Sequence, residues 1–218
     1  MVMRKEAELM KNLRVAVTVV LCVILSLTAI PALAENAFAY ADLSVNGVTP
    51  GVSADEASVV LGEPTSQDEP VVEAATGATL QTFRYAGLSL EFTDALLTDA
   101  TLSDPAYAGP RGLKVGDPES ALIEAFQIDL AQAKQGVLYS AGWVESLETP
   151  LPPCATLTTA EDGSLQYIFM APVTPYSAET LASPENYLYE NTAVLTVTVD
   201  AATRAITSLT WSVRPLAE

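Results

Sequence analysis

The chain has 218 residues, half of them hydrophobic, with ten Lys and Arg against 27 Asp and Glu, a net charge of −17 and no histidine. So acidic a chain lacks the basic stripe that neutralises a phosphate backbone, which excludes ordinary nucleic-acid binding and disfavours anionic membrane surfaces. The apolar content supports a buried core, and the absence of imidazole excludes a Ser-His-Asp or Cys-His site and histidine metal ligation.

In chain order, residues 1–39 read as a secretory signal. Arg4, Lys5, Lys11 and Arg14 form the basic region and Val15–Leu33 the apolar stretch. Two small-residue sites follow, Ala32-Leu33-Ala34 and Ala37-Phe38-Ala39, so cleavage is expected after 34 or 39. The apolar stretch also has the length of a retained anchor, and Pro31 with the Ala-x-Ala sites favours cleavage. No transmembrane segment is expected after removal of the signal. Cleavage after Ala34 leaves six basic and 25 acidic residues, a net charge of −19. The signal also carries off Cys22, which leaves Cys154 without a partner in the chain.

Two stretches then say nearly the same thing, GVTPGVSADEASVVL at Gly47–Leu61 and GLKVGDPESALIEAF at Gly112–Phe126. In the first, Ser53-Ala54-Asp55-Glu56 is a capping box that opens a helix over Ala54–Leu61, which Gly62 and Pro64 stop. Strands are expected at Leu80–Ala86, at Leu88–Phe92 with its every-second-residue alternation, and near Asp99–Ser103. In the second stretch Asp117 is placed as N-cap and Pro118 at the first helical position, with the helix running through Ala133 to Gly136. Further strands are expected at Leu165–Ala171, Ala193–Val199 and Ala205–Val213, with turns at Glu161-Asp162-Gly163 and Asp200–Thr203.

LQTFRYA at Leu80–Ala86 recurs as LQYIFMA at Leu165–Ala171. The expected fold is therefore α+β: two tandem helix-plus-antiparallel-sheet (αβββ) repeats, at 42–108 and 109–218, the second carrying insertions at 137–163 and 172–191.

Chemistry is sparse. No Walker or dinucleotide glycine motif occurs, and Asp94, Asp99 and Asp104 lack the spacing of a calcium loop; they are expected to end strands and face solvent. No metal, cofactor or catalytic residue is assigned. Aligning the repeated strands puts Phe83 with Ile168 and Tyr85 with Met170 on the helix-covered face, which leaves Thr82 and Arg84, or Tyr167 and Phe169, on the open one. Tyr167, Phe169 and Arg84 are thus the candidate partner-binding residues, with burial against the rest of the chain as the alternative for the aromatics. Arg84 is also expected to pair with Glu91 across the strand.

The order G-V-T-P-G-V-S-A-D-E-x-x-x-x-L-G-E-P followed by an L-x-L-x-F strand resembles the unit of the BamE/SmpA outer-membrane lipoproteins, and its duplication is similar to the β-lactamase inhibitory protein family. Neither a lipobox cysteine nor the inhibitors' disulfides are present. The resemblance implies a secreted or envelope, non-enzymatic module that grips a protein partner. The alternatives are a carboxylate-dependent wall-polymer hydrolase and a purely structural envelope component.

Overall fold

The computed structural model describes residues 37–144, 148–175 and 191–214. Of the two units into which the chain divides, Met1–Ala37 and Phe38–Glu218, the second contains nearly all of these residues.

Alternating apolar and polar residues make strands in which one face is buried, and the described residues contain ten strands, of which all but the first two, each a pair of exposed residues, bury side chains. They are β1 (Ser66–Gln67), β2 (Val71–Val72), β3 (Thr79–Tyr85), β4 (Leu88–Thr93), β5 (Leu96–Leu102), β6 (Val137–Val144), β7 (Thr149–Thr159), β8 (Leu165–Pro172), β9 (Thr192–Val199) and β10 (Ile206–Arg214). All pair antiparallel in one sheet of order β1-β3-β4-β5-β10-β9-β8-β7-β6, with β2 also on β3.

The expected pair of αβββ repeats is thereby corrected. The last strand of the first stretch, β5, pairs with the last of the second, β10, through Leu102–Leu209, Thr101–Thr210, Ala100–Trp211 and Asp99–Ser212. One sheet results. The expected insertion at 137–163 is sheet as well, since it supplies β6 and β7. The expected loop at 172–191 falls largely on residues 176–190, outside the described residues.

Two helices cover one face. In α1 (Ala54–Leu61) the capping box forms in both directions: Ser53 Oγ accepts from Glu56 N at 3.3 Å and Glu56 Oε2 accepts from Ser53 N at 2.9 Å. Gly62 takes the helix out at φ 83°. The second helix, α2 (Glu119–Ala125), ends well before Gly136 and has Pro118 at its cap position. Asp117 does not cap it; its Oδ2 accepts from Lys114 N at 2.8 Å and closes the preceding turn.

The core lies between these helices and the sheet. Ala57, Leu122 and Phe126 pack with Phe83, Leu90, Phe92, Leu102, Leu195, Leu209 and Trp211 in one cluster. Trp211, fully buried, stands where β10 meets Ala100 of β5 and Leu195 of β9. The turn from β3 to β4 admits only glycine: Gly87 has φ 77°, and a Cβ there would lie 2.1 Å from Asp104 Cβ.

Candidate ligand groove

Cross-strand partners share a face of the sheet, so the register identifies what the uncovered face carries. One row runs Thr156, Ile168, Thr196, Thr210, Thr101, Ser89, Arg84 from β7 to β3. Each of these side chains is exposed or half-buried, while their neighbours in sequence Ala155, Tyr167, Phe169, Leu195, Leu209 and Trp211 are buried.

Tyr167 and Phe169, expected on the open face, are both 0% exposed. The correction is one of phase. Because side chains alternate, a one-residue shift in aligning LQTFRYA with LQYIFMA exchanges the two faces. Phe83 and Tyr85 match Tyr167 and Phe169 in pointing inward, and Ile168 and Met170 point outward. Phe169 stacks on Phe126 of the α2 end at 4.3 Å between ring centroids. Tyr167 donates its hydroxyl hydrogen to Glu119 Oε1, and the other oxygen of that buried carboxylate pairs with Arg204. Arg84 is exposed as expected, but it pairs with Asp68 at 2.5 Å, not with Glu91, which faces Thr82. Arg84 holds the Asp68 carboxyl below its usual range. Both partners are about half exposed, so the pair contributes little to stability.

The same open face forms a groove of about 350 Å³ where β7 to β10 meet. Its size falls at the lower end of the range of about 300–1,000 Å³ typical of small-molecule sites. Val194 lies between Met170 of β8 and Ser212 of β10, with Thr192 beside Arg214 one row further on. Thr149, Pro150 and Pro152 of β7 complete the lining.

Proline has no N–H to give the ladder, and the register of β6 on β7 shifts between Ser140 and Gly142, opposite Pro152 and Pro153. The Ser140 hydroxyl fills part of the gap by donating to the Leu151 carbonyl at 3.0 Å and accepting from Gly142 N at 3.1 Å. At the other side, Asn191 ties the ends of β8 and β9 together: its Oδ1 accepts from Thr174 N at 2.9 Å and its Nδ2 donates to Thr174 O at 2.9 Å.

Electrostatically the groove ends on a cation. Arg214 takes part in none of the three ion pairs among the described residues. Next to Ser212 across the seam is Asp99, half-buried in mid-strand rather than at a strand end as expected, with Glu91 opposite it on β4. Burial pushes the Asp99 carboxyl up; the Thr98 hydroxyl lowers it, Glu91 raises it further, and Arg214 lowers it again. A second cleft, beside α1, is lined by Asp55, Ser58, Val59, Glu63, Pro64, Gln67 and Phe83 and offers two carboxylates but no cation.

Sequence reasoning missed the groove residues. The signal available was the Thr-x-Thr alternation of β9 together with an arginine closing β10, but pairing β10 to β9 and β9 to β8 required knowing the register. Cys154 is fully buried, and burial pushes its thiol up to about 12. Among the described residues no cluster of three or more Asp, Glu, Cys or His side chains is placed to hold a metal, and no helix is long and apolar enough to cross a membrane.

No family model matches the chain, and the comparison with curated proteins gives no match. Among solved structures, the chain is similar to an extracellular protein containing an SCP domain from Bacillus anthracis str. Ames, at 7% identity and a TM-score of 0.37 over 74% of this chain and 43% of that one. It is also similar to a cysteine-rich secretory protein from Staphylococcus aureus subsp. aureus Mu50, at 11% identity and a TM-score of 0.33 over 75% and 44%. The chain spans less than half the length of either. With a single continuous sheet in place of two repeats, the BamE and inhibitor resemblance is withdrawn, and the protein-gripping module it implied goes with it. Neither the wall-polymer hydrolase nor the structural envelope component gains support.

Proposed function

We propose that the chain is an extracytoplasmic, non-catalytic ligand-binding module whose site is the groove on the open face of β7–β10. The ligand class is a small molecule with an apolar body and one carboxylate. The observation that carries this reading is the composition of the groove: apolar walls from Pro150, Pro152, Met170 and Val194, hydroxyl-bearing Thr149, Thr192 and Ser212, and the Arg214 guanidinium at one end. An apolar lining with a few convergent polar groups is the usual construction of such sites. A guanidinium matches a carboxylate with two parallel N–H donors. The strongly acidic remainder of the chain works against anions in general, so selectivity would come from the local pairing with Arg214 and from the apolar fit. The leader at the N-terminus supports a place outside the cytoplasm. The histidine-free sequence and the buried, high-pKa Cys154 support binding rather than nucleophilic or imidazole-based catalysis.

Octanoate, octanol and octylamine serve as probes in calorimetric titration. Octanoate is expected to bind about tenfold more tightly than octanol, the magnitude of one charge-assisted hydrogen bond of roughly 1.5 kcal/mol, and octylamine more weakly than either. Arg214→Gln is expected to bring octanoate down to the level of octanol and to leave octanol unchanged. Equal binding of all three probes, or an Arg214→Gln variant that still distinguishes them, would reject the reading.

A further inference from the structure

We propose that the mature chain begins at Glu35, so that Phe38 is retained as an N-terminal plug of the folded body. This rests on reading Met1–Ala34 as a leader. Two small-residue sites compete in the sequence, one ending at Ala34 and one at Ala39, and they differ in whether Phe38 survives processing.

Phe38 is 1% exposed. Its ring sits 6.2 Å from Phe126 and 6.0 Å from Phe169, the two rings whose own stacking closes the end of α2 onto β8. Its backbone N–H donates to Tyr139 Oη on the edge strand β6 at 2.9 Å. A buried aromatic side chain removes about 150–250 Å² from water and dominates the packing around it.

The residues just after it are anchored as firmly. Ala39 N donates to Asp42 Oδ2 at 2.8 Å. Arg111 grips the same carboxylate with Nε at 3.0 Å and Nη2 at 2.8 Å, and it donates from Nη1 to Ala125 O at 2.8 Å. Its guanidinium lies over the Phe126 ring at 4.4 Å. Phe126 is thus covered by Phe38 on one approach and by Arg111 on another. The segment from Phe38 to Asp42 belongs to the folded body, which begins at Phe38.

Cleavage after Ala39 would remove the plug, open the Phe126–Phe169 pair and take from Tyr139 its donor. Hydrolysis of the Ala34–Glu35 bond, with water giving its hydroxyl to the Ala34 carbonyl and its hydrogen to the Glu35 amine, leaves all of these contacts intact. Of the two sites, the first is also the one directly at the end of the apolar stretch.

The test is intact-mass and N-terminal sequence analysis of protein recovered from the medium of a secreting bacterial host expressing the full chain. A single N-terminus reading Glu-Asn-Ala-Phe is expected. An N-terminus at Tyr40 would overturn the plug while leaving the leader in place, and a retained Met1 would overturn both. A second arm measures the Tm of the chain starting at Glu35. Phe38→Ala is expected to lower it by roughly 10 °C and Phe38→Leu by less than half of that. An unchanged Tm in both variants would reject the plug, and the leucine variant gives a reading if the alanine one does not fold.

Discussion

Raising the pH from about 8 to about 11 is expected to destabilise the protein by about 4 kcal/mol, because the fold buries groups in their neutral form that ionise in the unfolded chain over that range. Cys154 is fully buried, and burial moves its thiol from 9.0 to about 12. Burial likewise moves Tyr139 from 10.0 to about 12, against the smaller opposing effect of the hydrogen bond from Phe38 N. The Tyr167 hydroxyl is shifted up by burial first and by its bond to Glu119 second.

A group whose folded pKa is raised contributes stability that is fully present below its unfolded pKa. Above that value the unfolded chain holds fewer protons than the folded one, and stability falls as pH climbs toward the folded pKa. At about 1.4 kcal/mol per pH unit above the unfolded pKa, Cys154 accounts by pH 11 for about 3 kcal/mol and Tyr139 for about 1.4, together a large part of the 5–15 kcal/mol of a typical domain. Urea midpoints measured at intervals from about pH 7 to 11 should therefore fall steadily above about pH 9. Cys154→Ala, which costs about 1 kcal/mol at neutral pH, should remove the earliest part of that fall. A flat profile, or one that the alanine variant leaves unaltered, would mean that the thiol is not buried.

Replacing Glu119 by alanine has the second largest expected effect. Glu119 opens α2, is only 6% exposed, and joins three elements. Its Oε1 accepts from the buried Tyr167 hydroxyl of β8, its Oε2 pairs with Arg204 in the turn between β9 and β10, and its N–H donates to the Arg204 carbonyl at 2.8 Å. Arg204 is half exposed and can turn to water, so its share of the loss is below about 1 kcal/mol. Tyr167 cannot, and a hydroxyl left buried without an acceptor costs about 1–3 kcal/mol. The sum is a loss of roughly 1–4 kcal/mol, or a Tm lowered by about 3–15 °C.

Tyr167→Phe in the Glu119→Ala background removes the orphaned hydroxyl and should return about 1–2 kcal/mol, so the two substitutions are expected to be non-additive. Additive losses would show that the hydroxyl is not aimed at the carboxylate.

Local chemistry was readable from the sequence wherever a few adjacent residues decide the outcome. Ser53 and Glu56 form the capping box their spacing announces, and Gly62 ends the helix at a positive φ of 83°. Asp200 Oδ1 closes the β9–β10 turn by accepting from Thr203 N at 2.6 Å and Ala202 N at 3.1 Å. The L-x-L-x-F strand buries Leu88, Leu90 and Phe92.

What was not readable is what long-range pairing decides. The likeness of Gly47–Leu61 to Gly112–Phe126 is a likeness of turns and caps, and it carries no information about which strands meet. The β5–β10 seam joins residues about a hundred positions apart, Thr101 with Thr210 for example, and it turns the expected repeats into one sheet. The same seam brings Asp99 beside Ser212 and so shapes the electrostatics of the groove. For Tyr167 and Phe169 the difference was smaller still: one residue of phase separates an open face from a core. The stretch expected as an insertion holds Pro150, Pro152 and Pro153 within β7, where the tertiary pairing overrides the poor strand preference of proline.

One sheet from β1 to β6 is the premise on which the core, the open face and the groove all stand, and its most direct measurement is the set of backbone nuclear Overhauser contacts across the seam. Cross-strand contacts are expected between Leu102 and Leu209 and between Ala100 and Trp211, with the amides of β5 protected on both edges. Contacts from β5 to β4 alone, with no contact from β5 to β10, would divide the sheet in two and contradict this fold.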